Sequence, residues 1–307
     1  MTFLDEIEAT TNDVADQVGP AVVRIGRDGR GSGVVVEPGV VVTCAHNLRG
    51  GEATVTFPSG KRVVGTVAGA DLDGDLAVVR VEADADGGAN GGAVAWREGE
   101  AAGVGAPIFA LAAGGSTGPR ITFGTVSSTE EAFRGPRGRR VTGSIEHTAP
   151  LPRGASGGPV VDREGRLVGI NTHRLSGGFY LAQPADDSLR RRIDALAAGE
   201  SPRHRRLGVA VAPPRVARKL RRSVGLPEAD GLLVRQVRDG SPADAAGVAA
   251  GDLLVEGAGR PLDSVDALHD VLDELGADET LSLRVLRGAE SLTVAVTFGD
   301  TTSEGTA

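Results

Sequence analysis

Short apolar runs separated by turn residues dominate the first part of the chain. Six runs rich in β-branched residues lie between residues 21 and 81, and turn sequences such as Glu37-Pro38-Gly39 divide them. Strands this close together, with no helical pattern between them, are typical of a β-barrel rather than of βαβ units. We therefore predict a barrel with strands near residues 21–25, 33–36, 40–43, 53–57, 62–67 and 76–81.

A second series of apolar runs between Ala106 and about Ala182 predicts a second barrel. The glycine-rich residues 84–93 offer little to pack and should connect the two barrels. Residues 130–140 are strongly charged and are predicted to form a solvated loop. The fold class that follows is mainly β, a double six-stranded β-barrel, with further strands near residues 107–111, 121–126, 159–161 and 167–170.

The pattern changes on either side of these barrels. Residues 1–18 have apolar positions at roughly helical spacing, which fits an amphipathic helix and equally a frayed terminus. A helix after Pro184 should end near Gly199, and the polar residues 200–206 form the predicted domain linker. Beyond the linker, short strands mix with two helices, which predicts a small α+β domain. Residues 300–307 are predicted to be disordered.

Composition narrows the classes of function. The 307 residues suggest about two domains, and the net charge of −8 argues against nucleic acid as the main partner. Cys44 is the single cysteine, so an intrachain disulfide and a thiolate metal cluster are both excluded. The acidic start, without a basic signal-peptide end or a bilayer-length apolar run, predicts a cytoplasmic protein. An export signal removed before Met1 would make the location extracytoplasmic.

Residues 154–159, Gly-Ala-Ser-Gly-Gly-Pro, lie between two strand patterns and contain a candidate nucleophile, Ser156. Glycine on both sides lets backbone N–H groups turn toward one point, as an oxyanion requires. The predicted oxyanion donors are Gly154 and Ser156. A serine is inert without a base, so the alternative is a glycine-rich turn that contains an incidental serine.

His46 and Asp75 supply the groups that such a serine needs. Each stands at the edge of a predicted strand of the first barrel, whereas Ser156 belongs to the second. The chain order His, Asp, Ser is that of the chymotrypsin-type triad, which predicts a trypsin-like fold with a cleft between the barrels. If Asp75 is not the acid, the neighbouring Asp71 or Asp73 would take that place.

Two rival interpretations concern the same residues. The pattern G-x-S-x-G also occurs in α/β-hydrolases, but those need a helix after the serine and the order Ser, Asp, His; here the strand pattern at Pro159 follows. Cys44 is interpreted as a small apolar filler. His147 and His173 are expected near the cleft and His204 and His269 on the surface, with no pair spaced for a metal site.

These motifs, taken in order, resemble the HtrA/Deg family of serine proteases, and the final domain resembles that family's PDZ domain. The resemblance covers about residues 14–298. It rests on the segments Arg30-Gly31-Ser32-Gly33-Val34, Thr43-Cys44-Ala45-His46, Asp75-Leu76-Ala77-Val78-Val79, Gly154-Ala155-Ser156-Gly157-Gly158-Pro159, Gly169-Ile170-Asn171-Thr172, Gly240-Ser241-Pro242-Ala243, Gly247-Val248 and Gly251-Asp252-Leu253-Leu254.

The resemblance implies an ATP-independent endopeptidase without a cofactor, acting on unfolded or damaged proteins. It implies a protease domain at 19–199 and a PDZ domain at 207–299 that takes peptide C-termini by strand addition. It also implies a homotrimer, in which the N-terminal segment 1–18 is the expected oligomerisation helix. The implied peptide-binding residues are Arg206, Leu207, Gly208 and Val209.

Several positions depart from the family pattern. Ala155 stands where Asn is usual and Thr148 where Asp is common. The segment that pairs with substrate is implied to be Thr172-His173-Arg174, where Arg174 would narrow the primary pocket or add charge to it. With Pro150 at the trypsin acid position, cleavage after Lys or Arg is not expected; Leu151 favours a small aliphatic residue. The alternative function is a silent or latent barrel that serves a PDZ-based holdase or adaptor.

Overall fold

The computed structural model describes residues 2–27, 30–82, 92–114, 118–175, 177–202, 205–276 and 279–298. The predicted connection at 84–93 lies mostly outside these ranges, as does part of the linker at 200–206. His204 and the predicted disordered tail at 300–307 lie outside the described residues. The chain divides into two compact units, one ending at Pro202 and the other following it.

The N-terminal segment is a helix, α1 (Phe3–Val18), which decides between the two interpretations of residues 1–18. Thr2 caps it: its hydroxyl accepts from the Asp5 N–H, and the Asp5 carboxylate accepts from the Thr2 N–H at 2.6 Å. This reciprocal box satisfies donors that a helix start leaves open. Val14 and Val18 are buried against the first barrel's core.

Six strands close into the first barrel in the order β1-β2-β3-β6-β5-β4, with all neighbours antiparallel. Valine-rich strands supply its core, because their side chains alternate between the barrel interior and the packed exterior. The strands are β1 (Val22–Ile25), β2 (Gly31–Glu37), β3 (Val40–Thr43), β4 (Glu52–Thr56), β5 (Arg62–Asp71) and β6 (Leu76–Arg80).

The second barrel closes in the order β10-β11-β12-β9-β8-β7, so the predicted double six-stranded architecture is confirmed. Its strands are β7 (Pro107–Ala112), β8 (Arg120–Arg134), β9 (Arg140–His147), β10 (Pro159–Val161), β11 (Leu167–Arg174) and β12 (Tyr180–Pro184).

The second barrel tests two of the predictions made from the sequence. The predicted loop at 130–140 is too long, because β8 continues to Arg134 and pairs with β9 through Arg140. A strand, β10, begins three residues after Ser156. The helix that an α/β-hydrolase elbow requires is therefore not there, and that rival interpretation is wrong.

Helix α2 (Asp187–Ala197) follows β12 and completes the first unit. Asp186 caps its start by accepting from the Leu189 N–H at 2.8 Å. Leu189, Ile193 and Leu196 are buried in the core that also holds the first barrel. The helix leaves the second barrel and packs on β5 and β6 of the first, so it ties the two barrels together.

The second unit is a sheet of order β13-β14-β15-β17-β18, with β16 paired to β15. Helix α3 was not expected from the sequence, because its buried positions are Ala217 and Arg221 and give no apolar stripe. The elements are β13 (Val209–Ala212), α3 (Pro214–Ser223), β14 (Leu232–Val237), α4 (Pro242–Ala245), β15 (Leu253–Gly257), β16 (Arg260–Pro261), α5 (Val265–Glu274), β17 (Leu281–Arg287) and β18 (Glu290–Val296).

Across the described residues, none of the helices combines the length and the apolar character that crossing a bilayer demands.

Candidate active site

His46 lies in a single 3-10 turn directly after β3, where its side chain is 35% exposed. Its Nδ1 lies 2.9 Å from both carboxylate oxygens of Asp75, and its backbone N–H donates to Oδ1 at 3.1 Å. Since a carboxylate only accepts, Nδ1 carries the proton in this contact. The Nε2 atom is thereby left as the basic nitrogen.

Asp75 is fully buried at the start of β6, and its backbone has φ +52°. Besides the two donors of His46, the Thr172 hydroxyl donates to Oδ2 at 2.9 Å. A buried charge needs such compensation. Of the three acids that the sequence offered, Asp75 is the one that contacts the imidazole, whereas Asp71 is bonded to Arg192 at 3.0 Å.

Ser156 lies in the connection between β9 and β10. Its hydroxyl donates to the Thr172 carbonyl at 2.8 Å. Its own carbonyl accepts from the Ser32 N–H and the Asn47 side-chain amide, both at 2.9 Å. In the described ranges Ser156 and His46 share no hydrogen bond, but Thr172 joins Ser156 on one side to Asp75 on the other.

The turn around Ser156 needs its glycines. Gly154 has φ +83° and Gly157 φ +89°, a region that other residues rarely adopt. A Cβ at Gly157 would lie 2.1 Å from the Ser32 carbonyl oxygen, so the turn also lies against the first barrel's backbone. The Ser32 hydroxyl donates to the Gly154 carbonyl at 2.7 Å. Strand β2 of the first barrel therefore holds this turn of the second barrel in place.

A cavity of about 130 Å³ opens beside Ser156. Tyr180 lies in its wall, donates its hydroxyl to the Leu151 carbonyl at 2.9 Å, and has the Arg174 guanidinium 5.7 Å from its ring centre. The predicted substrate-binding residues Leu151, Thr172, His173 and Arg174 all line this cavity.

Two further histidines lie near the site, as the sequence suggested. His173 has its ring centre 6.1 Å from that of His46, and its Nδ1 lies 3.1 Å from the Thr172 hydroxyl. His147 is fully buried, and its Nε2 lies 2.9 Å from the Asn171 side-chain oxygen. Burial lowers the pKa of both imidazoles, because a charged ring would lose its hydration.

Cys44 is fully buried and its thiol contacts the Asn171 carbonyl at 3.3 Å. Burial, and secondarily the charge of Asp75, raises the pKa of this thiol well above its ordinary value. Its Sγ and the ligand atoms of His46 and Asp75 lie within 4.8 Å of one another. The thiol is protonated and His46 Nδ1 is bonded to Asp75, so this group is not arranged as a ligand set.

The predicted peptide-binding segment of the second unit leads into β13. Leu207 is buried, and Gly208 has φ +79°; a Cβ there would lie 2.2 Å from that of Ser241. The Leu207 carbonyl accepts from the Ala243 N–H at 2.9 Å. Arg206 is exposed and Val209 begins β13, which pairs with β14 alone in the described sheet and so has a free edge. His269 is half-buried on α5.

Two protein families match the chain. The family described as Trypsin-like peptidase domain matches residues 31–170, and the one described as PDZ domain matches residues 206–298. A Synechocystis sp. protein named as a serine protease, HhoA, is 32% identical over 283 residues, which cover 87% of this chain and 70% of that protein. The chain belongs to the HtrA family of serine proteases.

Other members of the HtrA family are also similar. A Halomonas elongata protein named as a periplasmic, DegP-like serine endoprotease is 30% identical over 277 residues, covering 88% of this chain and 56% of that protein. The chain therefore spans only part of these relatives' length.

Solved structures share the HtrA fold. The serine endoprotease of Yersinia pestis is 23% identical with a TM-score of 0.64, covering 94% of this chain and 96% of that one. The HtrA-type protease AlgW with decapeptide is 20% identical with a TM-score of 0.65, covering 94% and 97%.

Sequence reasoning missed several residues of this HtrA-family site. Ser32 and Asn47 hold the Ser156 turn, and Gln183 donates to the Asp75 carbonyl at 3.2 Å. Ser32 lies inside a motif that carried the resemblance, which was the only signal for it. Nothing in the sequence pointed to Asn47, because the Ser156 carbonyl that it bonds is more than 100 residues away along the chain.

Proposed function

We propose that this chain is an ATP-independent serine endopeptidase that hydrolyses peptide bonds of unfolded or damaged proteins. Ser156 is the nucleophile, His46 the general base and Asp75 the group that orients the base. One observation carries the proposal: His46 Nδ1 is paired with a fully buried carboxylate at 2.9 Å, beside a serine bonded to the same Thr172 that bonds this carboxylate.

The geometry suggests the order of proton transfers. His46 Nε2 takes the hydroxyl proton as Ser156 Oγ attacks the peptide carbonyl, and the imidazolium then protonates the leaving amine. Water hydrolyses the acyl-enzyme by the same route. Asp75 stays ionised and stabilises the imidazolium. These steps consume only the peptide and water, which agrees with a reaction independent of ATP.

The N–H groups of Gly154 and Ser156 are the proposed oxyanion donors. Within the described residues neither N–H has a hydrogen-bond acceptor, so both are available to a developing oxyanion. Removing one such donor lowers turnover by about 10²–10³-fold in a serine protease.

A latent or silent barrel that serves a PDZ-based holdase or adaptor is the second candidate. It is favoured by the Ser156 hydroxyl, which donates to the Thr172 carbonyl at 2.8 Å rather than to His46. Catalysis requires this hydroxyl to rotate about the Cα–Cβ bond of Ser156. Such a rotation crosses only a small barrier between staggered rotamers, so we favour the active enzyme.

The proposed substrate segment lies against β11, with one side chain in the cavity beside Ser156. The buried Leu151 and the small volume of about 130 Å³ favour a small aliphatic side chain there. Thr172 would contribute through its backbone, because its hydroxyl is bonded to Asp75. The Arg174 guanidinium lies 5.7 Å from the Tyr180 ring centre, where it would narrow the cavity or add a charge to it.

The second unit is proposed to bind a peptide C-terminus. Its chain would add to the free edge of β13, and the carboxylate would meet the backbone of Leu207, Gly208 and Val209 with Arg206 beside them. A fluorescent peptide with a free C-terminus should bind, and its C-terminal amide should not. Equal binding of both peptides would rule out carboxylate capture.

The domain arrangement and the setting are also proposals. Residues 19–199 and 207–299 are the proposed protease and PDZ domains; the division after Pro202 and the matches at 31–170 and 206–298 support this. The Halomonas elongata relative is named periplasmic, which favours the extracytoplasmic alternative over the cytoplasmic one. Cell fractionation and a sedimentation measurement test the location and the proposed homotrimer.

Activity is tested with Ser156→Ala, using Ser144→Ala, a change at another serine, as the matched control. Loss of the nucleophile should lower casein hydrolysis by on the order of 10⁶-fold. A fluorophosphonate probe should label Ser156 in the parent and in Ser144→Ala, and should not label Ser156→Ala. Casein hydrolysis by Ser156→Ala at the parent rate would overturn the proposal. Binding of casein without labelling would favour the holdase.

A further inference from the structure

The backbone of Asp75 has an unusual conformation, which its contacts with His46 do not explain. Its φ of +52° lies in the left-handed region, where residues with a Cβ are uncommon. Such a conformation persists only where the surroundings determine it. Because this backbone sets the direction of the carboxylate toward His46, whatever holds it also sets the geometry of the catalytic pair.

The side chain of Arg192 reaches this backbone. It lies on α2, and its Nη2 donates to the Asp71 carboxylate at 3.0 Å and to the Gly74 carbonyl at 3.2 Å. Its Nη1 donates to the Gln183 side-chain oxygen at 3.0 Å. One guanidinium therefore binds three acceptors, which a flat fork of donors can do and an ammonium group does less well.

Each of these acceptors is connected to the Asp75 backbone, either by hydrogen bonds or along the chain. The Gln183 side-chain amide donates to the Asp75 carbonyl at 3.2 Å. The other oxygen of Asp71 accepts from the Gly74 N–H at 2.7 Å and from the Asp73 N–H at 3.1 Å. The two residues before Asp75 and the carbonyl of Asp75 itself are thus bonded to groups that Arg192 holds in place.

The packing around Gly74 shows how closely the guanidinium approaches. A Cβ at Gly74 would lie 2.3 Å from Arg192 Nη2 and 2.3 Å from a carboxylate oxygen of Asp71. The loop backbone therefore leaves no space for a side chain on this side. Helix α2 is itself fixed, because Leu189, Ile193 and Leu196 are buried on its inner face.

We propose that Arg192 is a positioning residue for the catalytic acid: it holds the 71–75 loop so that the Asp75 carboxylate faces His46. The inference rests on the proposed triad and adds a residue of α2 to it. Asp71, which the sequence offered as an alternative acid, serves instead as the bridge between Arg192 and this loop.

The test is Arg192→Met, which keeps the length of the side chain but removes its donors. With a fluorogenic peptide we expect kcat to fall by about 10- to 100-fold, as small displacements of catalytic groups do, while KM stays within about twofold. Arg190→Met is the matched control: this neighbour on α2 lies 4.7 Å from the Trp96 ring and is not bonded to the 71–75 loop, so its kcat should be unchanged.

A second measurement does not depend on activity. The His46 Nδ1 proton, bonded to Asp75, should give a downfield NMR signal that Asp75→Asn abolishes and Arg192→Met shifts upfield. If Arg192→Met does not fold because the buried Asp71 carboxylate loses this guanidinium, the double variant Arg192→Met/Asp71→Asn takes its place.

The outcomes separate this proposal from the function on which it rests. A folded Arg192→Met with the parent's kcat and the parent's NMR signal would overturn the positioning role. A parent that neither cleaves casein nor reacts with the fluorophosphonate would instead count against the proposed enzyme, and the NMR signal would then decide the role of Arg192 alone.

Discussion

The hydroxyl of Ser32 offers a quantitative test of how the two barrels hold Ser156, the proposed nucleophile. This fully buried side chain of β2 accepts from the Ala113 N–H at 2.9 Å and donates to the Gly154 carbonyl at 2.7 Å. Ser32→Ala would leave both groups without that partner. The same residue's backbone N–H donates to Ser156, and the substitution does not alter that contact.

The loss of stability can be worked from these two bonds. An unsatisfied buried polar group costs about 1–3 kcal/mol, and both partners of Ser32 are only half-buried, so water recovers part of the loss. We therefore expect Ser32→Ala to lower the free energy of unfolding by about 2 kcal/mol in total. In a domain of this size each 1 kcal/mol lowers Tm by about 2–4 °C, and the expected decrease is therefore about 4–8 °C.

Activity should fall as well, because Gly154 carries one of the proposed oxyanion donors. We expect kcat to decrease by about 10- to 100-fold, less than the roughly 10²–10³-fold that follows removal of a donor itself. Trp96 is the only tryptophan of the chain and belongs to the first unit. Its fluorescence therefore reports the unfolding of the unit that contains Ser32.

Ser144→Ala provides the matched control. Ser144 is also fully buried, but its hydroxyl has no hydrogen-bond partner among the described residues. The same deletion of one oxygen should leave Tm and kcat unchanged or raise Tm slightly. Equal effects of Ser32→Ala and Ser144→Ala would refute the reasoning, because burial alone would then explain both.

Three further predictions concern the charges of the site. Asp75→Asn should lower kcat about 10⁴-fold with an unchanged circular dichroism spectrum; an unchanged kcat would place the acid elsewhere. Burial lowers the pKa of His147 below its ordinary 6.5, so the native state binds fewer protons than the unfolded state. The contribution of His147 to the free energy of unfolding is therefore fully present above pH 6.5 and is lost as the pH falls below it. His147→Gln should weaken this dependence on acid in urea titrations, and the same dependence in parent and variant would contradict the role of His147. Arg174→Met should lower cleavage of peptides with an acidic residue in the cavity about two- to fivefold relative to their alanine counterparts, the size of an exposed ion pair; an unchanged ratio measured by kcat/KM would exclude a role of the charge.

The architecture was predictable because its signals are local. Runs such as Val34–Val36 and Val40–Val42 fix strands by their β-branched side chains, and turn residues divide them. The second barrel was harder to predict in detail. At the end of β8 and the start of β9, charged and polar side chains leave few apolar ones. Residues 130–140 therefore looked like a loop, although β8 continues to Arg134 and pairs there with Arg140 of β9.

The candidate triad was predictable for a chemical reason. A nucleophilic serine, a histidine and an acid have few substitutes, so Ser156, His46 and Asp75 stood out in their order along the chain. The residues that hold them did not. Arg192 is one of three consecutive arginines, 190–192, and nothing in the sequence separates it from Arg190, which contacts Trp96. The difference arises only from the direction in which each side chain leaves α2.

Each barrel holds a residue of the candidate site that belongs to the other barrel, so the site forms only when both barrels are in place. The first barrel provides Ser32 and Asn47, which bond the turn that carries Ser156 in the second. The second barrel provides Thr172 and Gln183, which bond Asp75, the proposed acid, in the first. Neither the proposed nucleophile nor the proposed acid is therefore held by its own barrel alone. It follows that weakening the packing between the barrels should disturb both at once, whereas a change that loosens only one barrel's interior should reduce stability before it reduces kcat.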